Sequence, residues 1–222
     1  MHRKLTGVKV DWTAEQIERG RLLFAGPAAF VMGVAKIEQL PAVKGIEIAF
    51  AGRSNAGKSS LINALTGHKE LARASNTPGR TRELNFFDIG QGRLMLVDMP
   101  GYGYAKAPKA DVKKWQGLLK TYLRGRPGLT RVFVLIDSRH GVTKADEEMF
   151  TLLDESAVTY QLLLTKADKI AKADEAALLD RTRVVAKKRP AAFPEVHLTS
   201  SVSGAGFAEL RAEIAGLVSA HN

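Results

Sequence analysis

Gly52-Arg53-Ser54-Asn55-Ala56-Gly57-Lys58-Ser59 fits the pattern G-x-x-x-x-G-K-[ST] at every fixed position. Each residue type has a physical task in a phosphate-binding loop. The glycines let the backbone turn tightly, so that consecutive N–H groups converge on the β-phosphate of a nucleotide. Lys58 adds a point charge near the β- and γ-phosphates, and Ser59 offers a hydroxyl to Mg²⁺. The flanks agree with this reading. Ile46 to Ala51 is a short apolar run of strand type, and Ser59-Ser60-Leu61 opens a helical pattern that continues to Thr66. The competing reading is a glycine-rich turn with no ligand, but strand, loop and helix stand in the order the motif requires.

Working outward, residues 45–222 alternate strand and helix signals, which predicts an α/β domain with a mostly parallel sheet and helices on both faces. Six strands are expected: Ile46 to Ala51, Glu83 to Ile89, Arg93 to Asp98, Arg131 to Asp137, Thr159 to Leu164 and Glu195 to Thr199. Gly90-Gln91-Gly92 is a hairpin signal between the second and third, so one strand should run antiparallel at the sheet edge. Helices are expected over Asp111–Arg124, Lys144–Glu155, Asp174–Lys188 and Phe207–Val218. In the first of these Val112, Trp115, Leu119 and Tyr122 make an apolar stripe at helical spacing, a core face more than a base-stacking platform. Residues 1–44 form an N-terminal extension that packs on this core. Thr13 with Gln16 three residues on is a capping box. Phe30 to Ala35 either adds an edge strand or packs along the domain.

Composition narrows the class. There is no cysteine among the 222 residues, which excludes disulfides and thiolate metal sites and suits a reducing cytoplasm. The basic start soon meets Asp11, Glu15 and Glu18 instead of an apolar signal core, so no export signal is evident. Leu22 to Ala35 is too short and too interrupted to span a bilayer. The net charge of +10 favours a polyanionic partner beyond the nucleotide, RNA first, against the plain alternative of a generally basic protein.

Four further signals follow the P-loop. Asp98-Met99-Pro100-Gly101 ends an apolar strand; there a carboxylate can hold Mg²⁺ through water and the Gly101 N–H can sense a γ-phosphate. Thr165-Lys166-Ala167-Asp168 has the form [NT]-K-x-D. A carboxylate at its last position accepts from N1–H and the exocyclic amine of guanine, a donor pair that adenine lacks. Lys166 is expected to lay its stem on the base. Thr199-Ser200-Ser201 ends the last strand, where a backbone N–H and hydroxyls can meet guanine O6. Finally, Thr77-Pro78-Gly79-Arg80-Thr81 lies in a polar loop, where Thr81, with Thr77 as the competing candidate, can complete the Mg²⁺ shell and release it after hydrolysis.

Together GRSNAGKSSLINALTG (52–67), TPGRTRELNFF (77–87), DMPGYGYAK (98–106), LTKADK (164–169) and TSS (199–201) resemble the EngB (YsxC/YihA) family of bacterial GTPases, among the TrmE-Era-EngA-EngB-septin-like GTPases. The resemblance spans about Phe30 to Val218. It implies a Ras-like P-loop GTPase fold, nucleotide contacts in all five motifs, Mg²⁺ held at Ser59, Thr81 and Asp98, and action in large ribosomal subunit assembly with a link to cell division and septation. Lys58, Thr81 and Gly101 would then serve catalysis. The chain departs from the family in having Arg82 where Gln is common and Thr199 where Phe is more usual; neither is a phosphate or metal ligand.

After Gly101 comes Tyr102, where Ras-type enzymes place a Gln that orients the attacking water. Slow intrinsic hydrolysis follows, raised by a ribosomal partner or by K⁺, for which the resemblance points to Asn55. Lys106, Lys109, Lys113 and Lys114 are the expected contacts to ribosomal RNA or a large-subunit precursor particle. A P-loop ATPase or kinase acting on a small substrate is the rival reading, and Thr165 to Asp168 argue against it. No heptad seam suggests an obligate dimer, so a monomer is expected.

Overall fold

The central strand, β2 (Ile46–Gly52), is buried at every position, as a strand covered on both faces must be. The computed structural model describes residues 11–72, 83–103 and 109–221, apart from the side chains of 109–116. Around β2 the described chain runs α1 (Ala14–Ala25), β1 (Ala28–Val34), then α2 (Lys58–Thr66), β3 (Leu84–Ile89), β4 (Leu94–Asp98) and α3 (Lys109–Gly125). It continues through β5 (Leu129–Asp137), α4 (Lys144–Glu155), β6 (Tyr160–Thr165), α5 (Lys172–Lys187), β7 (Ala192–Leu198) and α6 (Phe207–Ser219).

The sheet order is β1-β3-β4-β2-β5-β6-β7. Strands β4, β2, β5, β6 and β7 are mutually parallel, and β3 is antiparallel to both of its neighbours. Two expectations are therefore corrected. The sheet has seven strands, not six, and the antiparallel strand is not at its edge. The reason is that β3 would otherwise leave a row of backbone groups unpaired, and residues 28–34 fill that edge. A run with Ala29, Phe30 and Val31 exposed has no alternating pattern to announce this. Both outer strands are irregular. β1 slips register between Phe30 and Met32, and β7 carries Pro194 and slips against β6 between Gln161 and Leu163. The turn between β3 and β4 has positive φ at Gly90, Gln91 and Gly92, and Asp88 Oδ1 accepts from the Gly92 N–H at 2.6 Å.

Side chains alternate between two cores. Ala49 and Ala51 of β2 face Leu119, Tyr122, Phe150 and Leu178, whereas Ile48 and Phe50 face Leu61, Leu65, Leu210 and Ile214. The two cores place α3, α4 and α5 on one side and α1, α2 and α6 on the other. Thr13 and Gln16 make the capping box of α1. That helix lies so close on α6 that a Cβ on Gly20 would come within 2.5 Å of the Ala212 nitrogen. From α6, Arg211 donates to the Leu65 and Ala64 carbonyls at 3.0 and 2.8 Å, satisfying the C-terminal end of α2.

A buried ion pair sits inside this core. Glu47 of β2 is fully buried, and Arg126, just past α3, donates from Nε to both of its carboxylate oxygens at 2.9 Å, with the Tyr122 hydroxyl at 3.3 Å. Arg126→Ala strips a buried carboxylate of its countercharge and is expected to cost about 3–5 kcal/mol in urea unfolding. The double change Glu47→Gln/Arg126→Met should cost clearly less, and an equal loss in both variants would show that packing, not the uncompensated charge, sets the cost.

Candidate nucleotide site

All the site segments that the structure describes lie at the carboxyl ends of parallel strands, the edge at which open α/β sheets bind ligands. The loop after β2 turns through two residues with positive φ, Asn55 at 65° and Gly57 at 96°. Gly52 is required sterically, because a Cβ there would lie 3.0 Å from the Leu135 Cβ and 3.2 Å from that of Ala56. Gly57 precedes α2, and no side chain caps that helix. Its first-turn N–H groups and the loop ahead of them are thus disposed for an anion. Ser59 and Ser60 stand in that first turn.

Across the loop stands the end of β4. Lys58 Nζ lies 4.0 Å from Asp98 Oδ1, with both side chains largely buried. Burial raises the Asp98 carboxyl above the ordinary carboxylate range, and the Lys58 ammonium opposes this only in part. Asp98 Oδ1 has no hydrogen-bond partner. A buried carboxylate oxygen kept this way fits a cation. Among the described residues no cluster of three or more His, Cys, Asp or Glu could hold a metal alone. Mg²⁺ on a nucleotide needs no such cluster, since it takes one or two carboxylates and otherwise phosphate and water oxygens. Asp98 and Ser59 fit that donor set. Met99 offers a ligand neither its side chain, which is in the core, nor its N–H, which donates to the Phe50 carbonyl at 3.0 Å. A Cβ on Gly101 would lie 3.1 Å from Ser54 Cα, so this turn and the P-loop are packed backbone to backbone.

The base end is built by β6 and β7 together. Thr165, where Asn is usual, donates its hydroxyl to the Ala56 carbonyl at 2.8 Å and so ties this motif to the P-loop. Lys166 adopts the left-handed conformation and donates from Nζ to the Asn55 carbonyl at 2.6 Å and to Asp137 at 2.8 Å. Its ammonium is a brace between loops, a role that the expectation of a stem laid on the base did not include. The Ala167 N–H donates to the Thr199 carbonyl at 3.0 Å, and the Thr199 N–H to that of Leu164 at 2.7 Å.

Asp168 accepts from the Ser200 hydroxyl at 2.6 Å, and Lys169 lies 3.5 Å from its other oxygen. The Ser200 bond, with help from Lys169, holds the Asp168 carboxyl below its usual range, ionised and acceptor-only. Ser200 in turn accepts from the Val202 and Ser203 N–H groups, and its own N–H donates to the Ala205 carbonyl at 3.1 Å. Here Ser200 orients Asp168, and both its hydroxyl and its N–H are engaged within the protein. Ser201 is exposed beside it.

Asp137 was not singled out from the sequence. Burial alone would raise its carboxyl, but hydrogen bonds from Arg139 and Lys166 outweigh that and hold it well below the usual range. Its signal, an Asp ending a buried strand, is the one that Asp98 shares. Tyr102 is buried, and its hydroxyl donates to Asp146 at 2.8 Å, so it faces the core and not a water. Thr77, Gly79, Arg80, Thr81 and Lys106, and the side chains of Lys109, Val112, Lys113, Lys114 and Trp115, lie outside the described residues. Among the described residues no helix is long and apolar enough to cross a membrane.

Comparison with known proteins agrees with this geometry. The family described as 50S ribosome-binding GTPase matches residues 47–166. A probable GTP-binding protein EngB of Cereibacter sphaeroides is 62% identical over 200 residues, covering 90% of this chain and 92% of its own. The protein of that name in Roseobacter denitrificans is 57% identical over 210 residues, covering 95% and 97%. Among solved structures, a probable GTP-binding protein engB superposes with a TM-score of 0.60 at 21% identity over 78% of this chain and 99% of that one. An Era variant of Aquifex aeolicus bound to GDP and AlF4⁻ gives 0.59 at 23% identity over 78% and 57%. At such identities these two show the fold alone. The chain belongs to the EngB family of GTP-binding proteins, P-loop GTPases that bind GTP and GDP and hydrolyse GTP.

Proposed function

We propose that this protein is a guanine-nucleotide switch in assembly of the large ribosomal subunit, linked to cell division and septation. It acts as a monomer in the cytoplasm and hydrolyses GTP slowly until a ribosomal partner or K⁺ accelerates it. The observation that carries the switch is the Asp168 carboxylate, ionised and oriented by Ser200 at the mouth of a site floored by Lys58. The guanine edge supplies the two donors such an acceptor needs, and adenine does not, which sets the ATPase or kinase reading aside. Mg²⁺ would be held by Ser59 and Asp98, with Thr81, and when bound it neutralises charge on the β- and γ-phosphates. Lys58 shares that charge, Gly101 N–H meets the γ-phosphate, and Asn55 is the K⁺ contact.

The assembly role draws support from the family's description as ribosome-binding and from where the charge lies. Residues 1–10, 73–82 and 104–114 hold ten of the 33 Lys and Arg and one of the 23 acidic residues, nine of the ten net positive charges. The second stretch contains Thr81 and the third begins three residues after Gly101. RNA phosphates and the γ-phosphate are therefore met by neighbouring parts of the sequence, the arrangement that makes RNA binding answer to the nucleotide.

Calorimetry should find GDP preferred to ADP by about 10⁴-fold or more, the discrimination that a site built to hydrogen-bond a ligand exerts against an analogue lacking the donors. Asp168→Asn should lose most of that preference and gain affinity for xanthosine diphosphate, whose C2 carbonyl matches the new amide; retention of the wild-type preference would sink the assignment. Turnover in K⁺ is expected to exceed that in Na⁺ by about tenfold, a difference of ~1.4 kcal/mol in the barrier, and equal rates would remove the cation from the mechanism. In sedimentation with large-subunit precursor particles, a non-hydrolysable GTP analogue should promote comigration that falls steeply with salt. Comigration indifferent to nucleotide would contradict a switch.

A further inference from the structure

Tyr102 stands where a water-orienting residue is found in other GTPases, yet every atom it offers is committed elsewhere. Its N–H donates to the Gly52 carbonyl at 3.3 Å and its carbonyl accepts from the Ser54 N–H at 3.1 Å, a parallel bridge that pairs it with Arg53 of the P-loop. Its ring is buried in the core to which Met149 and Phe150 of α4 also belong. Its hydroxyl donates to Asp146 Oδ1 at 2.8 Å. Asp146 is itself 1% exposed, and its second oxygen accepts from the Thr143 N–H at 2.9 Å and from the Thr143 hydroxyl at 2.7 Å. Fastened at the backbone to the P-loop and at the side chain to the first turn of α4, Tyr102 leaves its neighbour Gly101 little freedom. The Gly101 backbone already rests against Ser54.

We propose that Tyr102 and Asp146 are positioning residues for GTP: their buried hydrogen bond holds the Gly101 N–H where it meets a γ-phosphate. The inference rests on the GTPase reading above and adds the device that makes the site respond to the third phosphate. A hydrogen bond that places one donor should matter for GTP and not for GDP, which has no group for that donor to meet. A bond that served only to hold the fold together would move both nucleotides alike.

The test is calorimetric titration of the full chain with GDP and with a non-hydrolysable GTP analogue, both with Mg²⁺, together with single-turnover hydrolysis. Tyr102→Phe keeps the buried ring and removes the hydroxyl. It is expected to weaken the analogue by about tenfold, the size of one hydrogen bond lost, to slow hydrolysis, and to leave GDP within about twofold. Thr143→Ala loosens the cap of α4 but leaves the Tyr102 to Asp146 bond in place, so it should lower stability without moving the ratio of the two affinities. Equal weakening of both nucleotides in Tyr102→Phe, no change in either, or the same ratio shift in Thr143→Ala would overturn the proposal. Failure of the wild-type chain to bind GDP at all would instead remove the nucleotide reading on which it stands.

Discussion

Two hydrogen bonds onto the P-loop backbone, from the Thr165 hydroxyl to the Ala56 carbonyl and from the Lys166 ammonium to the Asn55 carbonyl, join the phosphate end of the site to its base end. The two ends come from segments more than a hundred residues apart, and β2 and β6 are not even neighbours, since β5 lies between them. The strands alone would set their separation only to within the play of two loops. The side chains of Thr165 and Lys166 remove that play. Asp137, at the end of the intervening β5, completes the brace by accepting from Lys166 while Arg139 holds it from the other side. Three strand ends are thus locked into one rigid rim, and a ligand that spans them meets a frame already assembled.

The same rim shows where local stability is given up for the site. Asn55 and Lys166 both occupy the left-handed region, which non-glycine residues enter at a cost of order 1–3 kcal/mol unless their surroundings fix them. Each is the partner of the other, so the ammonium-to-carbonyl bond secures both conformations. Asp98 Oδ1 is a second concession, a buried acceptor with no donor. By contrast the buried Glu47, far from the site at the opposite end of β2, has every oxygen matched by Arg126 and Tyr122. The Asp98 acceptor beside Lys58 is left open to a ligand, whereas the Glu47 carboxylate is spent on the fold.

Much of this was legible in the residue order. The β2 run, the glycines of the P-loop, the Asp98 and Asp168 motifs and the capping box at Thr13 are local patterns, each fixed by the physics of a few adjacent residues. The helix-period stripe likewise foretold that Leu119 and Tyr122 are core. What escaped depended on partners distant in the chain. For residues 28–34 the two readings left open, an edge strand or packing along the domain, are decided in favour of the strand by the open side of β3. Ser200 turns to Asp168, Lys166 finds Asp137, and Tyr102 finds Asp146 only once the sheet has brought β5, β6, β7 and α4 together. Arg211 of α6 likewise caps α2 only because the fold brings the two helices together.

The two outer strands have a bearing on how the molecule behaves in a crowd. A seven-stranded sheet ends in two rows of backbone groups that another chain can use to continue it, and an exposed Phe30 on β1 makes such recruitment sticky. The slipped register at Val31 and the missing donor at Pro194 break each row partway along. An incoming strand can form only a few bonds before it loses step, so the sheet resists growing into an intermolecular aggregate.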